Sequence, residues 1–296
     1  MPGRAIRYAA GLGGVFLGAL KACFTHRASS KAAALAFYTL FSMAPILVLA
    51  LAISGYFLGA QAAHGAIFAQ LKTLLGPAGA MAVQNLVAGA QASTGRGATV
   101  GAVLLLLVGT TTVFAELKDS LDEIWNRQAP LPSGILAVLR ARLLSFGLVL
   151  ALSFLLLVSL VINAALAFLA SFWEGRWAGS FWIFHGLSAL FTFAVIACLF
   201  AVIYKTLPEL SLPWRDVVVG ALCTAALFSL GAHAITAYLG SGAVDTSMGA
   251  AGALAVLLIW VYYSAQIFFL GAEFTREYAW RFGSLRGGHG GAKLTK

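Results

Sequence analysis

The chain has 296 residues, of which 61% are hydrophobic and only 10% are charged, and its formal net charge is +9. A soluble domain has about 25% charged residues, so this chain lacks the polar shell that a water-soluble fold of its length needs. The composition excludes an ordinary soluble domain, and the long apolar runs indicate an integral membrane protein. Because the basic residues flank those runs, we expect anionic lipid headgroups, and no nucleic acid, as partners.

The N-terminal segment, residues 1–33, is predicted to form a cytoplasmic amphipathic helix that lies on the membrane surface. Its apolar side chains fall on one helical face, which comprises Tyr8, Leu12, Val15, Phe16, Ala19, Leu20 and Cys23. A cleaved signal peptide is the alternative interpretation. It is disfavoured because Lys21 stands where a lipoprotein signal has a small neutral residue.

Six apolar runs are long enough to cross about 30 Å of hydrocarbon. They define a membrane domain over residues 34–275, with predicted spans at about 34–59, 97–115, 143–170, 181–203, 217–239 and 249–271. The predicted fold class is an all-α integral membrane protein with six transmembrane helices. The loop over 60–96 is predicted to add two short interfacial amphipathic helices on the outer surface. Residues 276–296 are predicted to form a cytoplasmic, partly disordered tail.

The lysine and arginine residues are distributed unequally between the two sides of this predicted topology. All 19 except Lys72, Arg96 and Arg176 lie in the N-terminal segment, the second and fourth loops or the C-terminal tail. By the positive-inside rule, these regions and both termini are cytoplasmic. The distribution also requires an even number of spans, which favours six over five or seven.

Several segments resemble the YihY/BrkB family of bacterial inner-membrane proteins. They are KAAALAFYTLFSMAPILV at 31–48, ELKDSLDEIWN at 116–126, YKTLPELSLPWRDVVVG at 204–220, and the last span at 247–273. The resemblance covers about 25–275, and it departs at Met248, where many members have tyrosine. It implies the six-span fold and a location in the bacterial inner membrane. The family has no settled biochemical function, although members have been labelled virulence factor BrkB or ribonuclease BN.

A metal-dependent ribonuclease would need clustered His, Asp or Glu ligands. The histidines do not pair at ligand spacing, and the acidic cluster from Glu116 to Glu123 is typical of an amphipathic helix. We expect the apolar face of that helix, including Leu121 and Trp125, to lie on the membrane. The three cysteines are scattered, so we predict neither a disulfide framework nor a cysteine metal site. Because the sequence also lacks a cluster of His, Asp or Glu ligands, we predict no metal, no cofactor and no enzymatic activity.

Polar side chains inside the predicted spans are the candidate functional residues, because polar groups in lipid must find partners. Asn163, His185 and His233 lie at similar depth in the outer half of successive spans. The proposed polar cavity comprises Tyr38, Ser42, Asn163, His185, Ser188, Thr192, Ser229, His233, Thr236, Tyr262 and Gln266. The alternative is a dry bundle in which each group bonds a backbone carbonyl on a neighbouring helix.

Two further features bear on this cavity. Pro45 is predicted to kink the first span, with Tyr38 and Ser42 shortly before it. Gln266 and Glu273 share one face of the last span. They form either a polar stripe lining the cavity or interhelical contacts, with Glu273 at the cytoplasmic interface paired to Arg276 or a neighbour.

The sequence favours a transporter or exporter of a lipid or another amphipathic envelope component. The alternative is a membrane scaffold or envelope-homeostasis factor whose basic cytoplasmic rim binds anionic lipid. A ribonuclease is the least favoured function. Whether copies of the chain associate into a homo-oligomer is left open by the sequence.

Overall fold

The computed structural model describes residues 2–40, 42, 116–125, 180–208, 212–240 and 249–285, together with isolated positions between 59 and 169. Each element within these ranges is helical, and they contain no strand. The helices are α1 (Pro2–Thr25), α2 (28–40), α3 (116–124), α4 (Ser180–Thr206), α5 (Trp214–Gly240) and α6 (Gly249–Arg281). The predicted all-helical fold class is therefore confirmed for this part of the chain.

Three of these helices contain stretches long and apolar enough to cross a membrane. The stretches are Gly186–Thr206 in α4, Trp214–Ile235 in α5 and Ala255–Arg281 in α6. They correspond to the predicted spans at 181–203, 217–239 and 249–271. The other three predicted spans lie largely outside the described residues, apart from positions such as 34–40 that are helical.

Helix α6 differs from its prediction at its C-terminal end. It continues past 271, the predicted end of the last span, as far as Arg281, and so includes the first residues of the tail predicted over 276–296. The added turns are held because their side chains are covered by protein: Glu273 and Thr275 are fully buried, and Phe274 and Arg276 nearly so.

The chain divides into two compact units. The first unit comprises Met1–His26, Leu121–Ser229 and Leu270–Lys296, and the second comprises Arg27–Ser120 and Leu230–Phe269. The first unit therefore contains α1, α4, most of α5 and the C-terminal third of α6. It also contains the charged groups described below.

In the first unit, α1 packs against the C-terminal part of α6. Val15 and Ala19 of α1 are fully buried against Phe274. The partly buried side chains around them are Phe16, Val219, Cys223, Leu270, Tyr278 and Phe282. Val15 and Ala19 belong to the face that the sequence predicted for the membrane surface, but protein covers them. The position of α1 relative to the membrane stays a prediction.

The three apolar helices of the first unit meet at small and hydroxylated residues. Tyr204 of α4 and Thr224 of α5 are hydrogen-bonded through their hydroxyls at 3.2 Å. Gly271 of α6 lies directly against both side chains, and Thr275 of α6 lies against Gly220 of α5. Small residues allow close approach of helices where lipid supplies no hydrophobic driving force. This contact fixes the C-terminal part of α6, on which the charged site lies.

In the second unit, a small apolar core joins α6 to the segment between the first two predicted spans. Val83, Val87 and Leu257 are buried together. Leu40, Ile67, Phe68, Trp260 and Val261 pack around them. Positions 67–69 and 83–85 are helical, which confirms the predicted helical conformation there. The predicted location on the outer surface is not tested.

Candidate functional site

Glu273 is the most unusual residue of the apolar helix α6, because its carboxylate has no exposed surface. Burying a lone carboxylate costs on the order of several kcal/mol, so it requires a compensating partner. Its Oε1 atom lies 2.5 Å from Nδ1 of His26, which follows the end of α1. The pair joins residues 247 positions apart in the sequence.

The turn between α1 and α2 positions His26. Its backbone N donates to the carbonyl of Ala22 at 2.8 Å, which completes the last turn of α1. The next residue, Arg27, has a φ of 51°, in the left-handed region that non-glycine residues seldom adopt. This reversal ends α1 at the point where the imidazole reaches Glu273.

Arg276 is the second buried charge, and it lies one turn beyond Glu273 on α6. Its Nη1 atom donates to the backbone carbonyl of Ile124 at 2.7 Å and lies 3.4 Å from Oε2 of Glu273. The guanidinium also stacks over Trp280, 4.6 Å from the ring centroid. Predicted pairing of Glu273 with Arg276 is confirmed, and α3 supplies the main acceptor for the arginine.

The ionic contacts continue along α6 towards its exposed end. Arg276 Nη2 lies 3.7 Å from Glu277, and the other oxygen of Glu277 lies 3.3 Å from Nε of Arg281. The guanidinium of Arg281 rests on Gly14 and Gly18 of α1, where a Cβ atom would lie only 3.0 Å from it. The glycine face of α1 is therefore shaped to receive the charged end of α6.

We call His26, Glu273, Arg276, Glu277 and Arg281 the ionic cluster. With a neutral imidazole, its two carboxylates balance its two guanidinium groups, and one added proton makes it net positive. Within the described residues, Oε2 of Glu273 and Nε of Arg276 are buried without a hydrogen-bond partner. The cluster is thus charge-balanced but incompletely hydrogen-bonded, and an unpaired polar atom is costly in a buried network.

Cys23 of α1 lies near the ionic cluster. Burial raises the pKa of its thiol from 9.0 to about 12, with a further rise from the negative charge of Glu273 and a smaller opposing effect of Arg276. The thiol is therefore protonated at neutral pH. A protonated thiol in this environment behaves as a small hydrophobe rather than as a reactive cysteine.

Two predicted cavity residues contact each other on α6. The side-chain amide of Gln266 donates to the hydroxyl of Tyr262 at 2.7 Å and to the hydroxyl of Ser29 at 3.0 Å. The Ser29 bond is an interhelical contact, which was one of the two interpretations of Gln266. Ser42 is buried and bonds the carbonyl of Thr39 in its own helix at 3.1 Å.

The other predicted cavity residues with described side chains lie on α2, α4 and α5. Tyr38 is partly buried and meets the ring of Phe37 edge-on. Thr192 and His233 are exposed, while Ser188 and Ser229 are half-buried.

The residues that would decide the cavity are not all described. The backbone is helical at His185 and Thr236, but their side chains lie outside the described part, as do Asn163 and Pro45 entirely. The convergence of Asn163, His185 and His233 on one cavity stays a prediction.

Helix α3 corrects one expectation about the acidic cluster. Leu121, Ile124 and Trp125 are buried within the protein, although the sequence predicted that this apolar face lies on the membrane. Asp122 is also buried, while Asp119 and Glu123 are exposed. An apolar stripe indicates that one face of a helix is buried away from water, but it does not indicate whether lipid or protein buries that face. Among the described residues, no group of three or more potential ligands is arranged to hold a metal ion.

Sequence reasoning missed His26 and the role of Arg276 towards α3. His26 was considered only as one of several histidines without a histidine partner. The usable signal was Glu273 itself, an acidic residue at the end of an apolar run that needs a buried partner on the same side of the membrane. That signal indicates a cationic or imidazole partner, but it does not indicate which one.

Comparison with known proteins gives one family and several distant relatives. The family model described as virulence factor BrkB matches residues 19–293. A UPF0761 membrane protein of Alcanivorax borkumensis is 27% identical over 253 residues, covering 83% of this chain and 56% of its own length. One of Enterobacter sp. (strain 638) is 26% identical, covering 67% of this chain and 65% of its own length.

Another relative, the UPF0761 membrane protein of Pseudoalteromonas translucida, is 24% identical over 255 residues, which are 86% of this chain and 82% of that protein. The chain spans less than two thirds of the length of the first two relatives. No solved structure matches it.

The apolar helices and these relatives define the chain as a helical membrane protein with bacterial homologues. Because the match extends over most of its length, the chain belongs to the virulence factor BrkB family. The resemblance identified from the sequence segments is thereby confirmed.

Proposed function

We propose that the protein is a transporter or exporter of a lipid or another amphipathic envelope component in the bacterial inner membrane, with six spans and both termini in the cytoplasm. The observation that carries the proposal is the ionic cluster in an apolar helix. Glu273 is fully buried, and its two closest ionic partners come from the end of α1 and from α6 itself.

A buried ion pair contributes little to a membrane protein that has no moving parts. Replacing a buried ion pair with apolar side chains of similar volume is often neutral or stabilising, so a static bundle gains little from such a pair. Ionisable groups within membrane segments are therefore functional-site candidates by default. A transporter has a use for them, because a charge network with two arrangements can couple movement of α6 to a bound solute or ion.

The exposed basic residues favour the scaffold as a second candidate function. Lys21, Arg215 and Arg281 are exposed, and Trp214 has 56% of its surface exposed beside Lys205. Tryptophan and basic side chains are enriched where membrane proteins meet lipid headgroups. A scaffold would use this rim to bind anionic lipid without moving it. Neither the described contacts nor the family supports RNA cleavage, and we propose no enzymatic activity.

The test is reconstitution of the full chain into liposomes that contain a fluorescent head-labelled phosphatidylglycerol on both leaflets. A membrane-impermeant reductant bleaches the outer leaflet, and further loss of fluorescence measures transfer from the inner leaflet. We expect faster loss than in protein-free liposomes, a reduced rate for Glu273→Gln, and an unchanged rate for Asp119→Asn, which alters an exposed carboxylate outside the ionic cluster.

The scaffold makes the opposite prediction. Retention of anionic liposomes by the protein without any transfer of the labelled lipid contradicts transport of phospholipid and supports the scaffold. Equal transfer by the wild type and Glu273→Gln contradicts the role assigned to the ionic cluster.

A further inference from the structure

Within the ionic cluster, His26 and Glu273 form a bonded pair in which the first side chain reaches water and the second does not. The side chain of His26 is 18% exposed, whereas that of Glu273 has no exposed surface. The two are joined directly through Nδ1 and Oε1 at 2.5 Å. Any proton that reaches the carboxylate along this contact passes through the imidazole.

We propose that Glu273 is a proton-binding site that is loaded from the cytoplasmic side through His26, and that this proton is the coupling ion of the transporter. The inference rests on the proposed function for its use of the proton, but the binding site itself stands on the geometry. An imidazole can pass a proton because its two nitrogens exchange roles between donor and acceptor.

The transfer is balanced in atoms and charge. A hydronium ion gives a proton to Nε2 of His26 and becomes water, and the proton on Nδ1 moves to Oε1 of Glu273. The products are a neutral imidazole protonated on Nε2 and a carboxylic acid. The ionic cluster gains one proton and one positive charge in total, and no other reactant is required.

The groups around Glu273 determine what the proton changes. On its own helix these are Arg276 and Glu277, Cys23 lies on α1, and His26 lies in the turn that follows α1. From α3, the backbone carbonyl of Ile124 holds Arg276, and the acidic residues of that helix beside Ile124 are the buried Asp122 and the exposed Glu123.

A neutral Glu273 gives up its charge contact with Arg276, which lies 3.4 Å away and has no hydrogen bond to Oε2. Arg276 remains bonded to Ile124. The proton therefore weakens the attraction between two side chains of α6, while the carbonyl of Ile124 in α3 still holds Arg276. Such a change in charge at one contact can bias a helix between two arrangements.

The experiment measures proton binding directly, without any transported solute. The full chain in lipid nanodiscs is studied by infrared difference spectroscopy between about pH 8 and about pH 5, the range in which imidazole changes charge. We expect a protonated-carboxyl band at the lower pH that is lost in Glu273→Gln and retained in Glu123→Gln, which alters an exposed carboxylate. After a rapid drop in pH, His26→Gln should form the band more slowly than the wild type.

Each outcome bears on the proposal. A wild-type spectrum without a protonated-carboxyl band, or a band that persists in Glu273→Gln, overturns the binding site. A band that forms equally fast in His26→Gln overturns the path through the imidazole.

Size-exclusion profiles and circular dichroism show whether each variant is folded. If Glu273→Gln does not fold, the wild-type spectrum and the His26→Gln kinetics still decide. A proton band without lipid transfer in the liposome assay leaves the site in place and removes the transport function.

Discussion

The carboxylate of Asp216, in the first turn of α5, accepts two hydrogen bonds from Ser284, just beyond the end of α6. The backbone N of Ser284 lies 2.9 Å from Oδ2, and its hydroxyl oxygen lies 2.8 Å from the same atom. Asp216 is almost fully buried, and Gly283 lies against it. The side chain of Asp216 thus links the first turn of α5 to the segment that follows α6.

Replacing Asp216 should destabilise the protein more than replacing its partner. Asp216→Ala leaves the backbone N–H of Ser284 without its acceptor, so we expect a loss of about 1–3 kcal/mol in the free energy of unfolding. Ser284→Ala removes only the hydroxyl bond, with an expected loss of about 0.5–1.5 kcal/mol. Denaturant unfolding in detergent, followed by circular dichroism, measures both. Equal losses in the two variants would contradict the assigned role of the backbone bond.

The glycines at the meeting of α4, α5 and α6 should not tolerate alanine. A Cβ atom at Gly220 or Gly271 would collide with the side chains of Thr275 or Thr224, respectively. We expect Gly220→Ala and Gly271→Ala each to lower the free energy of unfolding by about 1–3 kcal/mol, because the helices must separate. Gly186→Ala on α4 is the matched control, since nothing lies within 4 Å of its Cβ position. There the higher helix propensity of alanine should stabilise by up to about 1 kcal/mol.

The two arginines of the ionic cluster should differ in their effect on stability. Arg276→Gln removes the ionic partner of a buried carboxylate, and we expect a loss of about 3–5 kcal/mol. Arg281→Gln removes a contact to Glu277 from a side chain that is 46% exposed, and we expect a loss of about 0–1 kcal/mol. Unfolding of both variants in the same detergent gives the comparison. A larger loss for Arg281→Gln would mean that burial does not determine the strength of these contacts.

The Cys23 thiol should react slowly with maleimide in the folded protein. A pKa of about 12 instead of 9.0 leaves on the order of 1,000-fold less thiolate at neutral pH. The shift is upward, so the thiol stays protonated through neutral pH, and its reactivity should rise only as the pH rises through about 9 towards about 12. A variant with Cys198→Ser and Cys223→Ser isolates the measurement, and denatured protein provides the fast reference. Rapid labelling of the folded variant at neutral pH would show that the thiol is not buried as described.

The predicted topology can be tested with reporter fusions in a bacterial host. The distribution of lysine and arginine predicts cytoplasmic reporters at both termini and outer-side reporters near Ala80, Gly175 and Gly242. A reporter at the C-terminus that is active only outside the cytoplasm would rule out the six-span arrangement. It would also place the ionic cluster on the opposite side of the membrane from the one proposed.

The sequence predicted the three long apolar helices of the described part because the determinants of those helices are local. The apolar runs that became α4, α5 and α6 were recognisable from length alone, and Glu273 and Arg276 are close enough along one helix for their pairing to be expected. The contact of Glu273 with His26 depends instead on how α1 docks on α6, and no local pattern encodes that docking. The same limit applies to Val15 and Leu121, whose apolar faces were assigned to lipid and are covered by protein.

The origin of the first unit from both ends of the chain has a consequence for biogenesis. His26 is synthesised early, and its partner Glu273 emerges 247 residues later. Because proteins are made from the N-terminus, α1 cannot pack against the C-terminal part of α6 until α6 has left the ribosome. The buried carboxylate is then neutralised by a segment that is already in place. A nascent chain that stalls before α6 is synthesised leaves the glycine face of α1 exposed. A chain whose α1 cannot fold inserts Glu273 without its His26 partner. Either product is incompletely packed, and we expect it to be a substrate for quality-control proteases.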